Sequence, residues 1–200
     1  MHGLLRRPGS WLFVAGCLPL LRLILLGVWG GLGADPVEFV AHSTGTWALI
    51  GLLLTLAVTP LRRLTGRSGL VRHRRMLGLF AFFYACLHAL TYFWLDQSFD
   101  PRAIARDILE RPFITAGFTA FVLLVPLAAT STRAAMRRLG RRWQLLHRLI
   151  YPAAVLGVLH FLWLVKKDLT EPLVYAGVLG LLLVVRLRWT QRLLARVREE

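Results

Sequence analysis

Three histidines stand inside long apolar stretches of this chain: His88, His147 and His160. Ionisable side chains within membrane-length apolar segments are rare and point to function by default. A single such histidine has an ordinary alternative, a core imidazole hydrogen-bonded to a neighbouring helix. The spacing of the three favours a redox centre. His88 lies eight residues before Asp96 and His160 six before Lys166. At 1.5 Å per residue the two sit within ~3 Å of one depth, each below the same end of its helix. Two imidazoles at one level on two helices suit the axial positions of a haem b, whose apolar macrocycle fits inside a helix bundle. A zinc or copper site would call for further Cys, Asp or Glu ligands, and none of the acids lies within an apolar stretch. Cys86 is two residues from His88 and faces another side of the helix.

His147 precedes His160 by thirteen residues, which is ~20 Å along a helix and ~140° around a straight one. That distance allows a second, inner redox centre, so the reading is one haem or two. Pro152 lies between the two histidines and predicts a kink that changes their phase. His73 stands at a suitable distance from His88, but it sits in the basic run VRHRR and reads as a solvated loop residue.

These residues need spans to hold them. The chain has 200 residues, 56% hydrophobic, with 25 Lys+Arg against 10 Asp+Glu and a net charge of +15. A disordered basic tail would be poor in apolar residues. A soluble nucleic-acid binder would carry its charge on a polar surface without long apolar runs. Six segments approach the ~20 residues that cross a bilayer: about 12–29, 44–60, 76–95, 112–130, 145–165 and 172–188. The fold class is an all-α integral membrane protein, one six-helix bundle over residues 1–200 with the haem between helices. The halves show no visible repeat. The first apolar run contains Pro19 and Arg22 and lacks a clear cleavage site, so it reads as a retained helix rather than a signal peptide.

Basic residues set the orientation. Nineteen of the 25 fall on one side: Arg6, Arg7, the loops at 62–75 and 133–148, and the C-terminal tail. Five fall on the other side, together with eight of the ten acids. Both termini are therefore expected in the cytoplasm, with His88 and His160 toward the outer face. Cys17 and Cys86 both fall within spans and read as buried thiols, not a disulfide.

Several other residues carry open alternatives. Arg22, near the middle of the first span, either pairs with a haem propionate, flavin phosphate or quinone oxygen or reaches the interface along its stem. His42, expected at the outer edge before the second span, either bonds a propionate or faces the interface. Arg74, Arg75, Arg141 and Arg142 form a basic collar whose plain role is topology and attraction to anionic membrane lipid; its sharper one is binding FMN phosphate or an acidic donor. The segment 100–110 reads as a short amphipathic helix on the outer surface, a docking surface for a partner. Trp and Tyr near span ends, Trp189 included, fit interfacial belts.

The motifs GGLGADPVEF (30–39), HSTG (42–45), RRMLGL (74–79), LHALTY (87–92), RPFITAG (111–117), LGRRWQLLHRLIY (139–151) and LHFLWLVKK (159–167) run in order along the chain. In these the sequence resembles the ferric-reductase-like transmembrane family, and within it the haem-binding membrane subunits of bacterial periplasmic protein-methionine-sulfoxide reductase systems. The resemblance implies an electron-transfer subunit of the inner membrane, not itself the catalyst. Electrons would pass from the quinone pool through haem b to a periplasmic molybdopterin-containing reductase that repairs oxidised envelope proteins. It matches His88, His147 and His160 to the family's haem histidines. FMN is implied by the resemblance alone, since no flavin motif is visible. A transmembrane ferric or other metal reductase fed by a separate cytoplasmic flavoprotein is the alternative. A transporter with a histidine proton relay would favour intramembrane acids, which the spans lack.

Overall fold

The computed structural model describes residues 9–199, with side chains to Leu187. Arg6 and Arg7 and the side chains of Trp189 and the basic tail lie outside that description. Nine α-helices follow in order among the described residues: α1 Ser10–Val28, α2 Pro36–Thr65, α3 Val71–Leu90, α4 Pro101–Glu110, α5 Pro112–Ala129, α6 Arg133–Leu139, α7 Arg141–Leu146, α8 Ile150–Leu164 and α9 Thr170–Glu199. Six stretches are long and apolar enough to cross a membrane, as the sequence predicts: α1, α2, α3 with its flanking turns, α5, α7 through α8, and α9.

The helices exceed the apolar runs because polar signals, not hydropathy, end them. α2 begins at Pro36, where Asp35 accepts the Glu38 amide at 2.9 Å, and ends at Gly66 in the left-handed region. The second span, expected to be among the shortest, is thus a 30-residue helix. The expected basic loop at 62–75 shrinks to a tight turn. Arg62 and Arg63 are in α2, and Arg72, Arg74 and Arg75 are in α3. The predicted outer helix is α4, capped by Asp100. In place of a kink at Pro152, the fifth span is broken by a 3₁₀ turn at His147–Leu149.

The core lies on α2. Leu49, Leu52, Leu53 and Leu56 pack with Ala81 of α3, Leu124 and Leu127 of α5, and Ala153, Ala154 and Val158 of α8. Gly51 permits the closest approach: a Cβ there would stand 2.9 Å from the Ala81 backbone. α1 is peripheral and leans on α3. There the Tyr84 hydroxyl donates to Gly16 O at 2.6 Å and accepts from Leu20 N at 3.2 Å. It thereby bridges the turn that Pro19 opens in α1. The outward apolar side chains of α1, such as Trp11, Phe13 and Leu18, are exposed, as lipid-facing residues of a membrane helix are.

Two helix pairs correspond to each other. The two closest helix pairs are α2 with α3 and α5 with α8. They correspond at an offset of 72 residues: Gly45 with Gly117, Ala48 with Ala120, Leu52 with Leu124, Ala81 with Ala153, and His88 with His160. Ala81 and Ala153 are both wholly buried. So few identities, scattered among interchangeable apolar residues, leave no visible repeat in the sequence.

Candidate functional site: a paired imidazole centre

His88 sits in the last turn of α3, and His160 in the last third of α8. The structure brings them together, with ring centroids 6.0 Å apart and planes crossed at 73°. Both are fixed in the same way. His88 Nδ1 donates to Ala41 O of α2 at 2.9 Å, and His160 Nδ1 donates to Phe113 O of α5 at 2.7 Å. Each bond spans 47 residues. Four residues beyond each carbonyl, on the same helix face, stands a glycine against the ring. A Cβ on Gly45 would lie 3.1 Å from His88 Nδ1, and one on Gly117 would lie 2.7 Å from His160 Nδ1.

This arrangement selects a tautomer. An Nδ1–H held by a carbonyl leaves Nε2 with its lone pair, the state that binds a metal. With ring centroids 6.0 Å apart, the two imidazoles are close enough to hold one group jointly. No group of three or more His, Cys, Asp or Glu suited to a metal occurs among the described residues. The donor set thus fits a metal whose remaining ligands come from a cofactor, as in haem, better than a protein-only zinc or copper site. Just past His88 the helix widens into a π-helical turn at Thr91–Asp96, a departure that often accompanies functional sites.

His147 is separate from this pair. Its Nδ1 donates to Trp143 O at 3.1 Å and its ring stacks on Trp143 at 3.8 Å, while Nε2 is buried with no hydrogen-bond partner. The residue of α3 that corresponds to it at the 72-residue offset is Arg75, not a histidine. Arg75 is exposed, whereas Arg74 turns inward, within electrostatic reach of His147, Tyr151 and Arg186. His73 is not a solvated loop residue but lies in the first turn of α3, partly buried, hydrogen-bonded to Arg72 and against Trp11.

Arg22 is exposed, with its guanidinium 5.9 Å over the Phe39 ring. His42 is not at an edge before the second span but within α2, and its Nε2 lies 3.9 Å from Glu171. Both line a cavity at the end of the bundle where α1 runs into α2. Cys17 and Cys86 are free thiols.

Three features escape the sequence reading. Arg186, counted there with the basic tail, reaches back to donate to Leu56 O at 2.7 Å and to the Tyr151 hydroxyl. Its signal was a lone charge ending the run LLLVV. Asp107 is a buried carboxylate holding Arg111 at 3.2 Å, Gln97 at 3.2 Å and Tyr92 at 3.3 Å. It ties α4 to the turn after His88. The third is the pair of glycines against the imidazoles.

The fold and site define a multi-pass helical membrane protein with a paired-imidazole centre. A family model described as the ferric reductase like transmembrane component matches residues 44–158. The protein-methionine-sulfoxide reductase heme-binding subunit MsrQ of Bordetella parapertussis is 57% identical over 189 residues, covering 92% of both chains. The proteins of that name from Rhodospirillum rubrum and Herminiimonas arsenicoxydans are 58% identical over 176 residues (88% of this chain, 85% of theirs) and 52% identical over 183 residues (90% and 84%). The chain belongs to the ferric-reductase-like transmembrane family.

Proposed function

We propose that this chain is the haem b electron-transfer subunit of a methionine-sulfoxide reductase system. It takes electrons from the quinone pool and hands them to a periplasmic molybdopterin-containing reductase that repairs oxidised envelope proteins. The observation that carries the proposal is the His88–His160 pair, 6.0 Å apart, each Nδ1 held by a carbonyl. Names of the relatives agree, since they are called heme-binding subunits. In this reading His88 and His160 would hold the haem iron, and the Ala41 and Phe113 carbonyls fix their tautomers. When bound, the haem supplies a one-electron ferric/ferrous couple. In this reading the methionine-sulfoxide chemistry belongs to the partner subunit.

Orientation in this reading follows the basic loops, with both termini inside. That places the pair near the outer face, where a periplasmic partner docks, and α4 beside it. His147 serves a second, inner haem from one side only. A buried nitrogen without a partner calls for a ligand, and the corresponding position on α3 is an arginine. Among the collar residues, Arg74 rather than Arg75 faces this inner position, and FMN phosphate would meet the same basic surface.

The test is the dithionite-reduced spectrum and haem content of the purified chain. His88→Ala and His160→Ala each remove the low-spin signal of the outer centre. His147→Ala lowers haem from two per chain toward one and leaves that signal intact. A protein without haem, or one whose haem is indifferent to His88 and His160, refutes the proposal. A single haem untouched by His147→Ala refutes the inner site.

A further inference from the structure

The cavity lined by Arg22 and His42 has a volume of about 600 Å³, within the range of small-molecule sites. α2 forms its floor, with Arg22 of α1 on one side and Glu171 of α9 on the other. α1 leans on α3, while α9 leans on α8 and α2. α1 and α9 thus share no extensive packing among the described residues, and the tail of an amphipathic ligand can leave between them. Arg22 and His42 each stand six residues from the outer ends of their helices, at Val28 and Pro36, or ~9 Å below the helix ends.

Its lining is selective. Arg22 has no ion-pair partner among the described residues and presents a hydrogen-bonding fork beside the Phe39 ring. Trp47 adds a second aromatic wall. His42 with Glu171, 3.9 Å apart, is a proton acceptor with a carboxylate behind it. The cavity also abuts the imidazole centre. His42 follows Ala41, whose carbonyl holds His88, and the His42 ring is 5.8 Å from that of Phe161, the neighbour of His160.

From this placement we infer that the cleft is the oxidation site of a lipid-soluble quinol, an aromatic ring with two para hydroxyls and an apolar tail. The inference rests on reading His88 and His160 as haem ligands. A flat ring fits between Phe39 and Trp47, Arg22 binds one ring oxygen, and His42 accepts a proton from the other. The tail leaves between α1 and α9. Oxidation breaks two O–H bonds. The protons go through His42 and Glu171 to the outer water, and the two electrons go singly to the ferric group at the imidazole pair. The quinol becomes a quinone.

The experiment follows haem reduction by decylubiquinol, in stopped flow, with the full chain in lipid nanodiscs. Arg22→Leu and His42→Ala are expected to slow it at least about tenfold, as loss of a charge-assisted hydrogen bond does. Dithionite-reducible haem per chain stays at the wild-type level. Ser43→Trp, which fills the cavity without touching Arg22 or His42 chemistry, gives the same slowing. Rates within twofold of wild type overturn the inference. So does loss of haem in Arg22→Leu and His42→Ala, which would assign those residues to the haem site. Phosphatidylethanolamine retained in native mass spectra of wild type but not of Arg22→Leu, with quinol rates unchanged, would give the cleft to a lipid headgroup. If the wild-type chain holds no haem, the underlying reading fails on its own. Equilibrium binding of decylubiquinone, lost in Arg22→Leu, still decides the cavity.

Discussion

Replacing Gly117 with alanine tests the imidazole centre without removing a ligand. The added Cβ would lie 2.7 Å from His160 Nδ1 and 3.0 Å from Cε1 and Cγ. Ordinary contact begins at 3.4 Å, so the ring must retreat by 0.7 Å. Its Nδ1 is held at 2.7 Å by Phe113 O, one turn earlier on the same helix, so retreat from one breaks the other. The hydrogen bond contributes about 0.5–1.5 kcal/mol, and overpacking costs about 1–3 kcal/mol. Losing an outer-shell partner of a metal-ligating histidine lowers metal affinity about 10–100-fold. Gly45→Ala is the internal control. Its Cβ would lie 3.1 Å from His88 Nδ1, so the ring must move only 0.3 Å. The expected order is therefore wild type, Gly45→Ala, Gly117→Ala, in falling haem content per chain and growing shift of the low-spin resonance. Pyridine haemochrome assay and electron paramagnetic resonance on the purified variants measure both. Wild-type haem content and an unshifted resonance in Gly117→Ala would refute the packing argument. A larger effect at Gly45 than at Gly117 would refute it as well.

Two further outcomes follow from named contacts. Asp107→Ala removes the carboxylate shared by Arg111, Gln97 and Tyr92. It should destabilise the outer surface by about 1–3 kcal/mol and speed proteolysis between residues 97 and 111 while the inner half stays protected; unchanged cleavage would contradict it. The charge distribution predicts that a membrane-impermeant maleimide added to intact spheroplasts labels Ser98→Cys and not Ala134→Cys, in a background lacking Cys17 and Cys86. The reverse pattern would invert the orientation.

The six spans were legible because membrane helices obey a length rule. Their ends were not, because capping and burial decide them. Asp35 and Gly66 fix α2 at both ends, far outside the apolar run 44–60. The basic run 62–75 looks like a loop by charge and is mostly helix. That difference has consequences for the site. On a helix, neighbours point ~100° apart, so Arg74 and Arg75 cannot both face the bundle. Sequence reasoning that treats them as one collar has no means of choosing, and the register of α3 turns Arg74 inward.

The imidazole pair was legible in one dimension only. Counting from the outer ends gives a common depth, and it predicts nothing about lateral approach. The lateral part depends on α2 and α5, whose contributions are a backbone carbonyl and a missing side chain. Neither is visible as chemistry in a sequence. Yet both leave a trace, since HSTG and RPFITAG each end in the glycine that admits a ring, at Gly45 and Gly117. The 72-residue offset makes that trace a rule. One helix of each pair offers a histidine near its outer end, and the other offers a carbonyl and, one turn on, a gap. At the level of His147 the corresponding position is Arg75, which is exposed while Arg74 turns toward the histidine, so the repeat supplies no second imidazole there. The proposed second haem at His147 would therefore be held asymmetrically, and its spectrum should differ from that of the His88–His160 centre.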